Sequence, residues 1–232
     1  MEKRQTGSEL IGNVLKRPAE NFPNLTTTLS SPHSDMDIER MEKEAKNREK
    51  KAQAAALFDL TGVRALHRKP PESQLAAWND CLSKLVKRIG TGMMVSLVGG
   101  RGTGKSQLAV ELIRATCGNG KSAMYTTAMD IFIDLRDAYK LQESERAVLL
   151  RFQRPALLVI DEAQERGETP WEDRVLTALL DYRYSQRRDT VLVSNLSRND
   201  FVSTMGASIL SRMVETGGII QCDWPSFRGA KT

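Results

Sequence analysis

Eight consecutive residues, Gly99-Gly100-Arg101-Gly102-Thr103-Gly104-Lys105-Ser106, satisfy the pattern G-x-x-x-x-G-K-[ST] in full. Glycines let backbone N–H groups turn toward a phosphate chain with no Cβ in the way, and a helix that starts at the end of such a loop adds its partial positive charge. Lys105 is placed to reach the β- and γ-phosphates and the Ser106 hydroxyl to hold Mg²⁺. Farther along, the apolar run Ala156-Leu157-Leu158-Val159-Ile160 ends in two carboxylates, Asp161 and Glu162. Asp161 fits an acid that orients Mg²⁺, usually through water. Glu162 fits a group that polarises an attacking water, so the pair adds hydrolysis to binding. A strand that merely ends in an Asp-Glu turn is the plainer alternative. Asn195, at the end of Asp189 to Ser194, stands where an amide orients the same water; an Asx-type turn at a strand end is its alternative.

These groups act together only if the elements carrying them converge. Met93 to Val98, ahead of the glycine loop, is apolar and strand-like, and Gln107 to Cys117 behind it has helical periodicity. Asn119-Gly120-Lys121 turns the chain into a second strand, Ser122 to Thr127. Met129 to Tyr139 and Glu143 to Phe152 read as helices, with Arg136, Lys140 and Arg146 on or beside their joint. The run that ends at Asp161 is apolar on both faces, which predicts a strand buried on both sides, as in a parallel sheet. The acids then emerge at its carboxyl end, beside the glycine loop. A helix over Trp171 to Tyr184, the strand ending at Asn195, a helix at Ile209 to Val214 and a last strand, Ile219 to Cys222, complete the module. About ten residues follow, which leaves no room for a C-terminal helical lid.

Ahead of the module, Glu72 to Ile89 places Leu75, Trp78, Leu82, Leu85, Val86 and Ile89 at helical spacing after the break at Pro70-Pro71, so Trp78 is read as core. From an N-cap at Ser34 or Asp35 to about Leu57 runs a polar helix with Glu39–Lys43, Glu42–Lys46 and Glu44–Arg48 in the favourable i,i+4 order. It ends near Gly62, and its basic residues Arg48, Lys50 and Lys51 make a solvated face or touch nucleic acid. Residues 1–35 read as disordered apart from Leu10, Ile11, Val14 and Leu15, either a short face for a partner or a frayed turn. The expected division is an N-terminal arm over 1–60 and a nucleotide module over 61–232.

The formal net charge of +5 invites a nucleic-acid reading, but its distribution does not carry it. Residues 1–90 hold 16 Lys+Arg against 12 Asp+Glu, and residues 91–232 hold 18 against 17, so the module is nearly neutral. DNA contact there must come from local placement. No run of roughly eighteen apolar residues and no signal-type segment is present, so a soluble cytoplasmic protein is expected. Cys81, Cys117 and Cys222 are odd in number and far apart, which predicts reduced core thiols and no zinc site.

Strands with a phosphate loop after the first, Asp-Glu after the third and Ser-Asn after the fourth resemble the AAA+ P-loop ATPase core, an α/β fold whose five-stranded parallel sheet has the order 5-1-4-3-2. Within it the resemblance is to the DnaC/IstB-like group, over roughly residues 61–228. It rests on Gly99 to Ser106, Leu158-Val159-Ile160-Asp161-Glu162, Ser194-Asn195, Ser211-Arg212-Met213 and the closing Trp224-Pro225-Ser226-Phe227-Arg228, which has the form W-x-S-[YF]-R. The resemblance implies ATP and Mg²⁺ as cofactors, Asn195 as the sensor residue and Arg212 as an arginine finger for a neighbour's γ-phosphate, hence self-assembly. By residue pattern alone Arg212 is a surface arginine of an amphipathic helix. The resemblance also places Thr61-Gly62-Val63 near adenine and makes the helices between Met129 and Phe152 face single-stranded DNA, with Arg136 and Lys140 as candidate contacts. It implies a loader that deposits a DnaB-type replicative helicase on single-stranded DNA, with the arm gripping the helicase and hydrolysis releasing the loader. The alternatives are an IstB-like transposition helper that binds DNA and a transposase, and a nucleotide-switched interaction protein with little turnover. A small-molecule P-loop kinase fits less well, because no acceptor-binding lid is recognisable.

Overall fold

A computed structural model describes residues 35–69, 75–165 and 169–227. The expectations for residues 1–34, the break at Pro70-Pro71, the opening of the helix at Glu72 and the terminal Arg228 lie outside the described residues. The chain divides into two units at Lys43/Glu44. Of the first, the described part opens α1 (Asp35–Asp59), where Arg40 pairs with Asp37 at 3.1 Å. Among the described residues no helix is long and apolar enough to cross a membrane.

In the second unit, apolar runs build the sheet and amphipathic helices cover it. Its elements are α2 (Ala76–Val86), β1 (Met94–Val98), α3 (Lys105–Gly118), β2 (Ala123–Thr127), α4 (Ala128–Lys140), α5 (Glu145–Gln153), β3 (Leu157–Asp161), α6 (Pro170–Ser185), β4 (Asp189–Val193), α7 (Arg198–Thr204), α8 (Ala207–Thr216) and β5 (Gly218–Gln221). The five strands are parallel in the order β2-β3-β4-β1-β5, which read from the other edge is the expected 5-1-4-3-2. Successive side chains of a strand point to opposite faces, so β1, β3 and β4, largely apolar and buried throughout, serve two cores. Val95, Leu97, Leu157, Val159, Val191 and Val193 pack with α2 and α3 on one face. Met94, Val98, Leu158, Ile160 and Leu192 pack with α4, α5, α6 and α8 on the other. All three cysteines are free thiols and buried, as expected.

Two polar groups tie the end of the sheet at which β1, β3 and β4 begin. The Asp189 carboxylate accepts from the N–H groups of Gly92 at 2.9 Å and Met93 at 3.0 Å. The fully buried Arg183 donates to the carbonyls of Phe152, at 3.0 Å, and Pro155, at 3.0 Å, and burial lowers its pKa to about 9. Helix α7 is not announced by apolar spacing: it is only seven residues long and is opened by the Ser197 side chain, which accepts from the Asp200 N–H.

Gly217 sits where α8 hands over to β5, and a Cβ there would lie 1.8 Å from the Met94 carbonyl oxygen. The neighbour is backbone of a central strand and cannot move aside without breaking the β1–β5 ladder. Gly217→Ala is therefore expected to destabilise the fold by about 3 kcal/mol. Urea denaturation checks this, and a variant as stable as the parent would contradict the placement of β5.

Candidate functional site

Because every strand runs the same way, the residues that follow β1, β3 and β4 gather at one edge of the sheet. They line a cavity of about 1140 Å³ that includes Lys105, Ser106, Asp161, Glu162 and Asn195. Gly99 in the P-loop donates its N–H to Leu196 O at 2.9 Å, and Ser194 donates to Leu97 O at 2.9 Å, so the exits of β1 and β4 are joined directly.

The loop owes its course to left-handed glycines: Gly102 has φ +83° and Gly104, the N-cap of α3, has φ +76°. Residues with a Cβ seldom adopt this conformation. Thr103 Oγ1 donates to Gly100 O at 3.1 Å. Lys105 is almost fully buried and its ammonium donates to Gly99 O at 2.8 Å and Gly100 O at 2.7 Å. Burial pushes its pKa below the ordinary lysine value, with Asp161 among the groups opposing the shift. A buried ammonium on neutral carbonyls at a helix N-terminus is ready to exchange them for phosphate oxygens. Arg101 and Gly102 also line the cavity.

Asp161 ends β3 and is buried; its Oδ1 accepts from the Glu162 N–H at 2.8 Å and its Oδ2 accepts from the Tyr125 hydroxyl. Glu162 has φ +52°, an uncommon conformation for a residue with a side chain and one that clusters at functional sites. Burial, then the charges of Glu165 and Asp161, raise its carboxyl pKa, while Arg64 and Arg101 oppose the shift. A base held part-way out of water with a raised pKa suits proton abstraction. The Asn195 N–H donates to Gln164 Oε1 at 3.3 Å, which ties the exits of β3 and β4 together. Among the described residues no three carboxylate, imidazole or thiol groups converge. The donors at hand, the Ser106 hydroxyl and the Asp161 carboxylate, are hard oxygens of the kind Mg²⁺ takes when phosphates supply further ligands.

The other expected site residues lie apart from this cavity. Arg212, on α8, pairs with Asp181 of α6 at 3.0 Å, donates to Ser208 O at 2.9 Å and lies 5.4 Å from the centre of the Tyr184 ring. Arg136, on α4, pairs with Glu172, a buried carboxylate of α6, and its guanidinium lies 5.5 Å from the Trp171 ring centre. That makes Arg136 a tie between two helices as well as a partly exposed cation. Lys140 is exposed and pairs with Asp137 at 3.0 Å.

Several residues of the site were not legible as such. Tyr125 lies on β2 beside β3, so the sheet order alone places it next to Asp161, but no local motif marks it. Leu66 and His67 reach the cavity from the short 3₁₀ turn Ala65–His67, and Arg64 from the residue just ahead of it, after Thr61-Gly62-Val63. Trp78 is core, as expected, yet it also lines the cavity together with Phe227.

Comparison with known proteins extends this geometry. The chain is 27% identical over 199 residues to the replicative helicase loader DnaC of Escherichia coli K12, covering 82% of this chain and 80% of that one. A crystal structure of the DnaC helicase loader superposes with a TM-score of 0.59 at 19% identity, over 68% of this chain and 99% of that one. The replication initiator DnaA, solved with AMPPCP and single-stranded DNA, superposes with a TM-score of 0.57 at 13% identity over 69% of this chain, which spans 50% of the DnaA chain. The fold is that of an AAA+ P-loop module. Residues 80–231, more than half the chain, match the family described as IstB-like ATP binding protein, and they hold the whole glycine loop, both strand-end acids and Asn195. This chain belongs to the IstB-like ATP-binding protein family.

Proposed function

We propose that this protein is an ATP-dependent loader that places a DnaB-type hexameric replicative helicase on single-stranded DNA and leaves after hydrolysis, working in the cytoplasm where the chromosome is replicated. The observation that carries this reading is the extent of the likeness to DnaC. It covers 82% of the chain, more than residues 80–231 can hold, so it continues back into α1, ahead of the nucleotide module. A shared ATPase core alone would not reach that far.

In this reading Lys105 and the loop N–H groups bind the β- and γ-phosphates of ATP. Ser106 and Asp161 hold Mg²⁺, which would neutralise charge on the transferring phosphoryl group. Tyr125 fixes the orientation of the Asp161 carboxylate through its hydroxyl. Glu162 takes the proton of the attacking water, Asn195 orients that water, and Arg212 of one subunit serves the nucleotide of the next. Residues 1–60 grip the helicase, the module over 61–232 supplies the switch, and Arg136 and Lys140 contribute to DNA contact.

Native mass spectrometry of the full chain with a DnaB-type helicase and ATP tests this. A defined complex is expected with the parent, and a complex at least about tenfold weaker is expected with Lys105→Ala if assembly needs bound nucleotide. Removing the first unit, Met1–Lys43, tests the arm without touching Phe58, which is buried in the core. Membership of the IstB-like family favours one further reading, the transposition helper that the resemblance also implies. The absence of any helicase complex, together with binding to duplex DNA and a transposase, would establish that reading instead. No phosphate release with or without single-stranded DNA would point to a nucleotide-switched interaction protein.

A further inference from the structure

Three successive carbonyls of the P-loop each take a donor from outside the loop. The Phe227 N–H donates to Gly102 O at 2.9 Å, Trp224 Nε1 donates to Thr103 O at 2.6 Å, and Trp78 Nε1 donates to Gly104 O at 3.2 Å. Two of these donors come from the short segment after β5, Trp224-Pro225-Ser226-Phe227, and the third comes from α2. The Phe227 ring also fills the space beside Gly104, where a Cβ would lie 2.7 Å from a ring carbon and 3.3 Å from Trp78 Nε1. The Trp78 and Phe227 rings meet edge to face with centroids 6.2 Å apart.

A peptide unit is planar and trans, so its N–H points opposite to its C=O. Fixing the carbonyls of Gly102, Thr103 and Gly104 on one side therefore aims the N–H groups of Thr103, Gly104 and Lys105 to the other. Those are the groups that cradle a phosphate in a loop of this kind. We propose that Trp224 and Phe227, assisted by Trp78, form a strut on the carbonyl side of the P-loop that sets its affinity for nucleotide phosphates, and that the segment after β5 is thereby coupled to nucleotide occupancy. These are positioning residues, and their role rests on the nucleotide reading of the cavity given above.

The three contacts are not equivalent. Gly104 O also accepts from the Leu108 N–H at 2.8 Å, the opening bond of α3, so the loss of the Trp78 donor leaves that carbonyl served. For Thr103 O and Gly102 O, the donor comes from the strut: Trp224 Nε1 for the first and the Phe227 N–H for the second. Trp224→Phe, which keeps a ring but removes the N–H, is expected to weaken binding of Mg²⁺ and a non-hydrolysable ATP analogue about tenfold. Trp78→Phe is expected to weaken it less, by about threefold or below. Trp224→Phe is expected to change affinity more than the turnover rate at saturating ATP, because the groups acting on water are not the ones it holds. Reciprocity requires the converse: the same analogue, bound to the parent, slows hydrogen exchange at the Phe227 amide.

Calorimetric titration of the full chain measures the affinities, and exchange mass spectrometry of the parent measures the coupling even if a variant fails to fold. An unchanged affinity in Trp224→Phe, or exchange at Phe227 that ignores the analogue, would overturn the strut while leaving the nucleotide site standing. A parent that binds no nucleotide would overturn both.

Discussion

Arg212→Ala is expected to retain nucleotide binding and to lose about a thousandfold in ATP hydrolysis, the scale on which an arginine that neutralises charge on the transferring phosphoryl oxygens acts. Within one chain the side chain serves no nucleotide: it lies on α8, paired with Asp181 at 3.0 Å and donating to Ser208 O at 2.9 Å. To reach a neighbour it must exchange the Asp181 carboxylate for a phosphoryl group, an exchange of one anion for another that assembly would supply. Mixing Arg212→Ala with Lys105→Ala is then expected to restore part of the activity, because some interfaces join an intact arginine to an intact P-loop. Steady-state phosphate release measures both effects. Equal rates in parent and Arg212→Ala would remove the role in trans and leave the arginine as a tie between α6 and α8.

Glu162→Gln is expected to keep ATP and Mg²⁺ bound and to slow hydrolysis by about a hundredfold or more, since the amide cannot accept the proton of the attacking water. The substitution preserves size and leaves Asp161 and its partner Tyr125 unchanged. Its signature is in the pH profile. Burial and the neighbouring Glu165 and Asp161 raise the Glu162 pKa, and the group works only when deprotonated. Parent activity should therefore fall, as the pH is lowered, at a higher pH than an ordinary carboxylate would dictate. The glutamine variant should lack that limb. If its residual rate shows the parent's pH dependence, the base is another group. A helicase complex that persists with ATP in this variant would further tie release to hydrolysis.

How far the chain could be read in advance follows from the range of its interactions. The glycine loop, the Asp161–Glu162 pair and Asn195 are each contained in a few adjacent residues at the end of an apolar run. Elementary periodicity is enough to put them at strand ends. The apolar spacing likewise announces α3, α4 and α6 to within a few residues, because each has a continuous face toward one of the two cores. The order of the strands is different in kind: it came from resemblance to a known core, since five parallel strands with similar apolar runs could be arranged in other orders.

By itself, then, the sequence determined the chemistry on offer: a loop for phosphates, two carboxylates, an amide and a cation on a separate helix. Local spacing suffices for that, because each group is set by its own backbone segment. Only the tertiary structure decided what holds those groups and what competes for them. Tyr125 meets Asp161 across two adjacent strands, and Arg212 is taken up by Asp181 on another helix. Arg136 is drawn to the buried Glu172, and Trp224 reaches Thr103 from the far end of the module. Each of these contacts joins residues far apart in the chain. They come together when burying the apolar faces fixes the layers of the fold, and a hydrogen-bonding group carries no mark in sequence of the partner that this burial will bring to it.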